Sequence, residues 1–246
     1  MEPRLKLTKA STAAPVDTTQ YRSIVGCLRY LVHTWPDLAF SVGYVSRFME
    51  APTADHDAAV KRILRYVAGT VDFGCYYKRM ETPPELVGYC DADMAGDVDT
   101  RKSTSGVVFF LGANPVSWQS IKQKVVALSS CEAEYKAATT AACHRIWLAL
   151  LLGEIKQEEP ESFKLLVDNK SVIALSKNPV FHDRSKHITT RYHFIRECME
   201  DGRAQVEFIG TDGQIADILT KALGRVRFQE LRAHIGVVEV SSRRQA

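Results

Sequence analysis

The stretch Leu86-Val87-Gly88-Tyr89-Cys90-Asp91-Ala92-Asp93 decides the fold. It begins as a short apolar strand and runs straight into two carboxylates. A second stretch, Leu165-Leu166-Val167-Asp168, has the same form. Carboxylates are rarely buried unless they are paired or metal-bound, so an Asp closing a buried strand calls for a physical reason. Between these two stretches, 107–111 and 115–118 read as further strands. From Glu132 to about Ile155 the pattern turns helical, with Ala137, Ala141, Ile146, Leu148 and Leu151 among the apolar positions. Beyond Asp168 the sequence predicts a helix near 170–176, a polar basic stretch with Pro179, a helix near 190–200, a strand at 205–209 and a last helix from Gln214. This order predicts an α/β layer architecture built on a mixed sheet.

Upstream of the strands, residues 1–18 are polar and rich in Ala, Thr and Pro, and are expected to form a flexible leader. The segment 19–80 reads as helical. Ile24, Cys27, Leu28 and Leu31 fall on one helical face, Trp35-Pro36-Asp37 breaks the pattern, and Ala59, Ile63 and Val67 point inward in a third helix closed by Gly69. So small a block needs a surface to pack on. Met80-Glu81-Thr82-Pro83-Pro84 is the expected linker. Domain boundaries follow as 1–18 leader, 19–80 helical segment, 85–222 sheet domain and 223–246 C-terminal helix and tail.

The 246 residues are 46% hydrophobic and 25% charged, which excludes wholesale disorder and a collagen-like repeat. No run approaches the roughly 18 apolar residues needed to span a bilayer. The first residues lack a secretory apolar core, and six scattered cysteines form no C-x-x-C pair, so reduced thiols and a cytoplasmic or nuclear location are expected. A net charge of +3 says little about partners until the charges are located.

Two more acids stand out. Glu134 lies in the first turn of the long helix, and Asp217 lies among Ile215, Ile218 and Leu219. Taken singly, such residues serve a helix dipole or an N-cap. Taken together, Asp91, Glu134, Asp168 and Asp217 can converge at one end of the sheet, where α/β proteins build their sites. Carboxylate oxygens suit hard cations such as Mg²⁺, and a pair of such ions supports phosphodiester hydrolysis.

Longer motifs then point to a family. They are Gly88-Tyr89-Cys90-Asp91-Ala92-Asp93-Met94-Ala95-Gly96-Asp97 with Arg101-Lys102-Ser103-Thr104-Ser105-Gly106, Ala127-Leu128-Ser129-Ser130-Cys131-Glu132-Ala133-Glu134-Tyr135, Val167-Asp168-Asn169-Lys170-Ser171, Lys186-His187-Ile188 with Arg191-Tyr192-His193-Phe194, and Ala216-Asp217-Ile218-Leu219-Thr220-Lys221. This series resembles the ribonuclease H domain of copia-type retrotransposon polyproteins. Tyr21-Arg22-Ser23-Ile24-Val25-Gly26, Pro36-Asp37-Leu38-Ala39-Phe40 and Lys61-Arg62-Ile63-Leu64-Arg65-Tyr66 resemble the segment that joins reverse transcriptase to that domain. The resemblance implies a ribonuclease H-like mixed five-stranded sheet flanked by helices. It also implies an endonuclease that cuts the RNA strand of RNA–DNA hybrids with two Mg²⁺, for which Mn²⁺ can substitute. Asp91 would bridge both ions, Glu134 and Asp168 would complete one site, and Asp217 the other. Glu132 is the alternative to Glu134, and Asp93 reads as a turn residue. Met94 stands where the family often has Trp, and Cys131 where Thr is common.

For substrate grip, Lys186, His187 and Arg191 belong to a basic cluster suited to a phosphate backbone, or to a solvated helix face. Trp118 is a candidate for the minor groove of a hybrid, with a core role as the alternative. Ser103 reads as part of a hairpin turn, with a phosphate contact as the alternative, and Asn169 completes the expected contacts. The partners are an RNA–DNA hybrid and a reverse transcriptase domain, with no membrane. No Tyr-x-Asp-Asp occurs, so no polymerase activity is expected. The alternative on the same fold is a domesticated non-catalytic module that binds nucleic acid or protein.

Overall fold

The computed structural model describes residues 1–3, 5–80, 83–158, 162–177 and 189–240, with the backbone alone described for 189–193. Its centre is the expected mixed five-stranded sheet. The strands are β2 (Leu86–Ala92), β3 (Thr104–Leu111), β4 (Asn114–Lys122), β5 (Phe163–Val167) and β6 (Ala204–Phe208), in the spatial order β4-β3-β2-β5-β6. The first three strands pair antiparallel as consecutive hairpins, whereas β5 joins β2 in parallel and β6 joins β5 in parallel. Parallel neighbours need a crossover, and the long helix α4 (Ser130–Lys156) supplies the one between β4 and β5.

Alternation along β2 and β3 divides the sheet into two apolar faces. Leu86, Cys90, Val107, Phe109 and Leu165 meet α4 through Tyr135, Ala138, Ala141 and Ala142. The alanines let the helix approach the sheet closely. Ser129 opens α4 by accepting from the backbone N of Glu132 at 3.1 Å. Tyr89, Val108, Phe110 and Trp118 pack on the other face, against Ala39, Ile218, Leu219, Leu231 and Ile235. Helices α5 (Lys170–Lys177) and α6 (Thr189–Glu200) complete the α4 side.

The helical segment contains α1 (Thr18–Leu31), α2 (Ala39–Val45) and α3 (Ala54–Ala68), joined by short 3₁₀ turns at Pro36–Leu38 and Ser46–Phe48. In α1 the buried face is Tyr21, Val25 and Leu28, while Cys27, expected inward, is exposed. The stripe is displaced because Tyr21 anchors it, donating its hydroxyl to the carbonyl of Val45 at 2.9 Å. Ala59 and Ile63 are buried in α3 as expected, joined by Val60 and His56. This segment does need a second surface. Ala39 joins the sheet's second face, and Arg47 pairs with Asp97 at 3.2 Å with both side chains largely buried.

Two terminal expectations change. The leader packs on the helical segment: Leu7 is buried in the helical core, and its backbone N donates to the Tyr44 hydroxyl at 3.0 Å. The last helix does not start at Gln214. Residues Ile215–Leu219 form a 3₁₀ turn, and helix α7 (Arg225–His234) begins after Gly224. A strand β7 (Val237–Glu239) then pairs antiparallel with β1 (Phe73–Cys75) and ties the C-terminal segment to the helical one. All six cysteines are free thiols. No described helix is long and apolar enough to cross a membrane.

Candidate metal centre

Asp91 and Asp168 reach the same end of the sheet because β2 and β5 are parallel neighbours. Their pairing sets Tyr89 opposite Leu166, and each Asp lies two residues further on. Across β3, the partner of Asp91 is Gly106. Only glycine fits there: a Cβ would lie 2.7 Å from Thr220 Cγ2, 2.8 Å from Leu219 Cβ and 2.9 Å from the carbonyl O of Ala216. This close approach seats the 215–220 turn on β3 and carries Asp217 to Asp91. Thr220 fastens the seat by donating its hydroxyl to Asp91 Oδ2. Gln214, fully buried, donates to the Cys90 carbonyl at 3.0 Å and accepts from the backbone N of Ala216 at 3.2 Å. Glu134 enters from the start of α4, and Asn169 Nδ2 donates to its Oε1 at 3.1 Å.

One carboxylate oxygen each from Asp91, Asp168 and Asp217 lies within 4.8 Å of the other two. Among the described residues, the buried oxygens Glu134 Oε2 and Asp168 Oδ1 have no hydrogen-bond partner. Two like unit charges 4 Å apart repel by about 4 kcal/mol at an effective dielectric of 20, so this cluster needs a cation. Lys221 supplies one, 2.7 Å from Asp217 Oδ1 and 3.5 Å from Asp91 Oδ2. An all-oxygen donor set with unpaired oxygens suits Mg²⁺ or Mn²⁺ and lacks the sulfur or imidazole expected of a zinc site.

The electrostatics agree. Burial pushes the Glu134 carboxyl up to about 7; the charges of Asp168 and Asp91 add to this, while the Asn169 hydrogen bond and Lys221 oppose it. Burial likewise lifts Asp217 to about 6 despite its bond to Lys221. Asp168 is raised by burial and by Asp91. Burial lowers the affinity of Lys221 for its proton, but the surrounding acids outweigh that and raise it.

The other expected residues divide. Glu132 is buried and paired with Lys136 at 2.6 Å, and it accepts from the backbone N of Leu128 at 2.7 Å. Its carboxylate thus braces the loop before α4, whereas Glu134 lies beside Asn169 and Asp168. Asp93 accepts from the backbone N of Thr104, as a turn residue does. Ser103 is fully buried, and its hydroxyl accepts from the backbone N of Ala95 at 3.1 Å. That removes it from the substrate contacts. Trp118 takes the alternative, core role: its indole N–H donates to the Val32 carbonyl at 2.8 Å and its partly buried ring packs against the second core. Asn169 is turned to Glu134 and caps α5, with Oδ1 accepting from the backbone N of Ser171 at 2.8 Å. Lys186 and His187 lie outside the described residues, as does the side chain of Arg191.

Gln214, Thr220 and Lys221 are the contributors that residue-by-residue reading misses. The available signal was spacing: Lys221 stands four residues after Asp217, where opposite charges meet on a helical turn.

Comparisons with known proteins extend the picture. No protein-family model matches the chain. The chain is 45% identical over 235 residues to the retrovirus-related Pol polyprotein from transposon RE2 of Arabidopsis thaliana, covering 96% of this chain and 16% of that polyprotein. It is 46% identical over 219 residues to the corresponding polyprotein from transposon TNT 1-94 of Nicotiana tabacum, covering 88% and 16%. The chain therefore spans about a sixth of the length of these curated relatives. Among solved structures it is similar to LC11-RNase H1, isolated from compost, with 16% identity and a TM-score of 0.43, covering 56% of this chain and 93% of that one.

Proposed function

Because the chain belongs to the retrovirus-related Pol polyproteins of copia-type transposons, we propose that it is their ribonuclease H part, an endonuclease that hydrolyses the RNA strand of RNA–DNA hybrids. The observation that carries this reading is the convergence of Asp91, Asp168 and Asp217 within 4.8 Å, with unpartnered buried oxygens on Glu134 and Asp168. In the proposal, Asp91, Glu134, Asp168 and Asp217 hold two Mg²⁺ ions, with Mn²⁺ able to replace them. Such ions activate a water and stabilise the departing oxygen of a phosphodiester.

The chain's own residues do the positioning. Asp91 stands between the β5 and 215–220 contributions, held by the Thr220 hydroxyl. Asn169 orients Glu134 by bonding one of its two oxygens, leaving the other free. The buried Gln214 side chain ties the backbone just before Asp217 to the Cys90 carbonyl just before Asp91. Lys186, His187 and Arg191 are proposed to follow the phosphate backbone. The helical segment and β1–β7 support the sheet face opposite α4, and in this reading a reverse transcriptase domain of the same polyprotein is the partner.

The test uses a hybrid labelled separately on its RNA and its DNA strand. With Mg²⁺, shortened RNA and intact DNA are expected, and cleavage of the DNA strand, or of neither, contradicts the proposal.

A further inference from the structure

The acidic cluster is built around a cation of its own. The Lys221 ammonium lies 2.7 Å from Asp217 Oδ1 and 3.5 Å from Asp91 Oδ2. The two acids are fixed: their side chains are 7% and 4% exposed, Asp91 is bonded to Thr220, and the backbone N of Lys221 itself donates to the Asp217 carbonyl at 3.3 Å. The lysine side chain is 42% exposed and reaches in from the solvent side on a flexible four-carbon stem. Among the described residues, the ion pairs made by the four acids all come from Lys221.

We infer that Lys221 is a resident counter-ion, whose ammonium group fills the space between Asp91 and Asp217 and withdraws when a divalent cation enters it. The inference rests on the two-cation reading above. Mg²⁺ binds carboxylate oxygens at about 2.0–2.1 Å, so an ion held by these two oxygens would stand in contact with the ammonium. Two cations cannot share that space. Loading is therefore an exchange in which the ammonium leaves as the ion enters. The exchange has two consequences. The metal-free site is protected from the mutual repulsion of its acids, and the metal concentration needed to fill it is set partly by the lysine.

The test is Mg²⁺ titration of the full chain by calorimetry, without nucleic acid. Lys221→Met is expected to lower the half-saturating Mg²⁺ concentration about tenfold, since one competing unit charge is lost. Its melting temperature in EDTA is expected to fall below wild type, and saturating Mg²⁺ to close the gap. Lys221→Arg retains the charge and is expected to stay within about threefold of wild type. Lys122→Met, whose lysine pairs with Asp97 outside the cluster, is expected to leave Mg²⁺ binding unchanged. Wild-type or weaker Mg²⁺ binding by Lys221→Met overturns the exchange. If that variant unfolds in EDTA, the Mg²⁺ concentration that refolds it is read by circular dichroism. Refolding at or below the wild-type half-saturation supports the exchange, and refolding only above it overturns it. Failure of wild type and Lys221→Met alike to bind Mg²⁺ sinks the two-cation reading itself.

Discussion

Glu134 carries a charge that the metal-free fold resists. Burial and its acidic neighbours hold it at about 7 against an ordinary 4.5. A carboxyl raised on folding contributes stability below its unfolded value and loses it as pH rises through the folded one. In EDTA, wild type is therefore expected to lose stability between pH 4.5 and about 7, while Glu134→Gln loses less over the same window. Thermal melts across that range check this, and a constant difference between the two proteins would contradict it. Mg²⁺ is expected to remove the decline by compensating the charge. Single-residue reading of the sequence singles out Asp91 and Asp168 because each follows an apolar run. Lys221 is harder to find, because only its spacing from Asp217 marks it and its second partner, Asp91, is far away in sequence. The same reading leaves Ser103 and Trp118 open between a substrate contact and a structural role, and the structure gives both a structural one. A hydroxyl bonded to the backbone N of Ala95 and an indole bonded to the Val32 carbonyl look, in sequence, like any exposed polar contact.

Among the elements, the 215–220 turn depends on the bare backbone of Gly106. A Gly106→Ala substitution places a methyl group against Leu219 Cβ and the Ala216 carbonyl, and overpacking of this kind costs about 1–3 kcal/mol. Urea denaturation measures it. Nuclease activity is expected to fall further than stability, because Asp217 moves with the turn. Gly26 in α1 is the contrasting case. Nothing lies within 4 Å of a Cβ there, so Gly26→Ala is expected to stabilise by about 0.5–1 kcal/mol. The regular elements were legible from periodicity: β2, β3, β5 and α4 all lie close to their expected positions. The 215–219 turn was not, because its apolar residues fit a helix while Gln214 and Thr220 bind it to β2 by hydrogen bonds that no local pattern encodes. The docking of Leu7 was hidden for the same reason, since its partner Tyr44 lies in α2.

On the scale of the whole molecule, the helical segment is locked to the sheet domain by Arg47, which bonds Asp97 and the Thr104 hydroxyl. Burial alone would raise Asp97, but hydrogen bonds from Thr100 and the Lys122 ammonium outweigh it and hold the carboxyl at about 2. A carboxyl lowered on folding contributes stability above its unfolded value, and loses it as pH falls through the folded one. The penalty for Asp97→Asn is thus expected to be full above pH 3.8 and to vanish toward about 2. Acid titration of both proteins by circular dichroism checks this. Arg47→Met removes the hydrogen bonds to Asp97 and to the Thr104 hydroxyl while leaving Asp97 paired with Lys122, so a loss of about 1–3 kcal/mol is expected from the missing charge-assisted hydrogen bonds, measurable by denaturant unfolding.

The acids at the ends of β2 and β5 are the proposed cutting centre. The most direct measurement is the Mg²⁺-dependent cleavage rate of a hybrid labelled on its RNA strand, for wild type, Asp91→Asn and Asp168→Asn. Each substitution removes a charge while keeping the shape of the side chain. Wild type is expected to cut the RNA strand, and both folded variants to lose at least about 100-fold in rate, as expected when charge stabilisation at a reacting centre is removed. Cleavage by folded Asp91→Asn and Asp168→Asn at the wild-type rate would contradict the assignment of this cluster as the cutting centre.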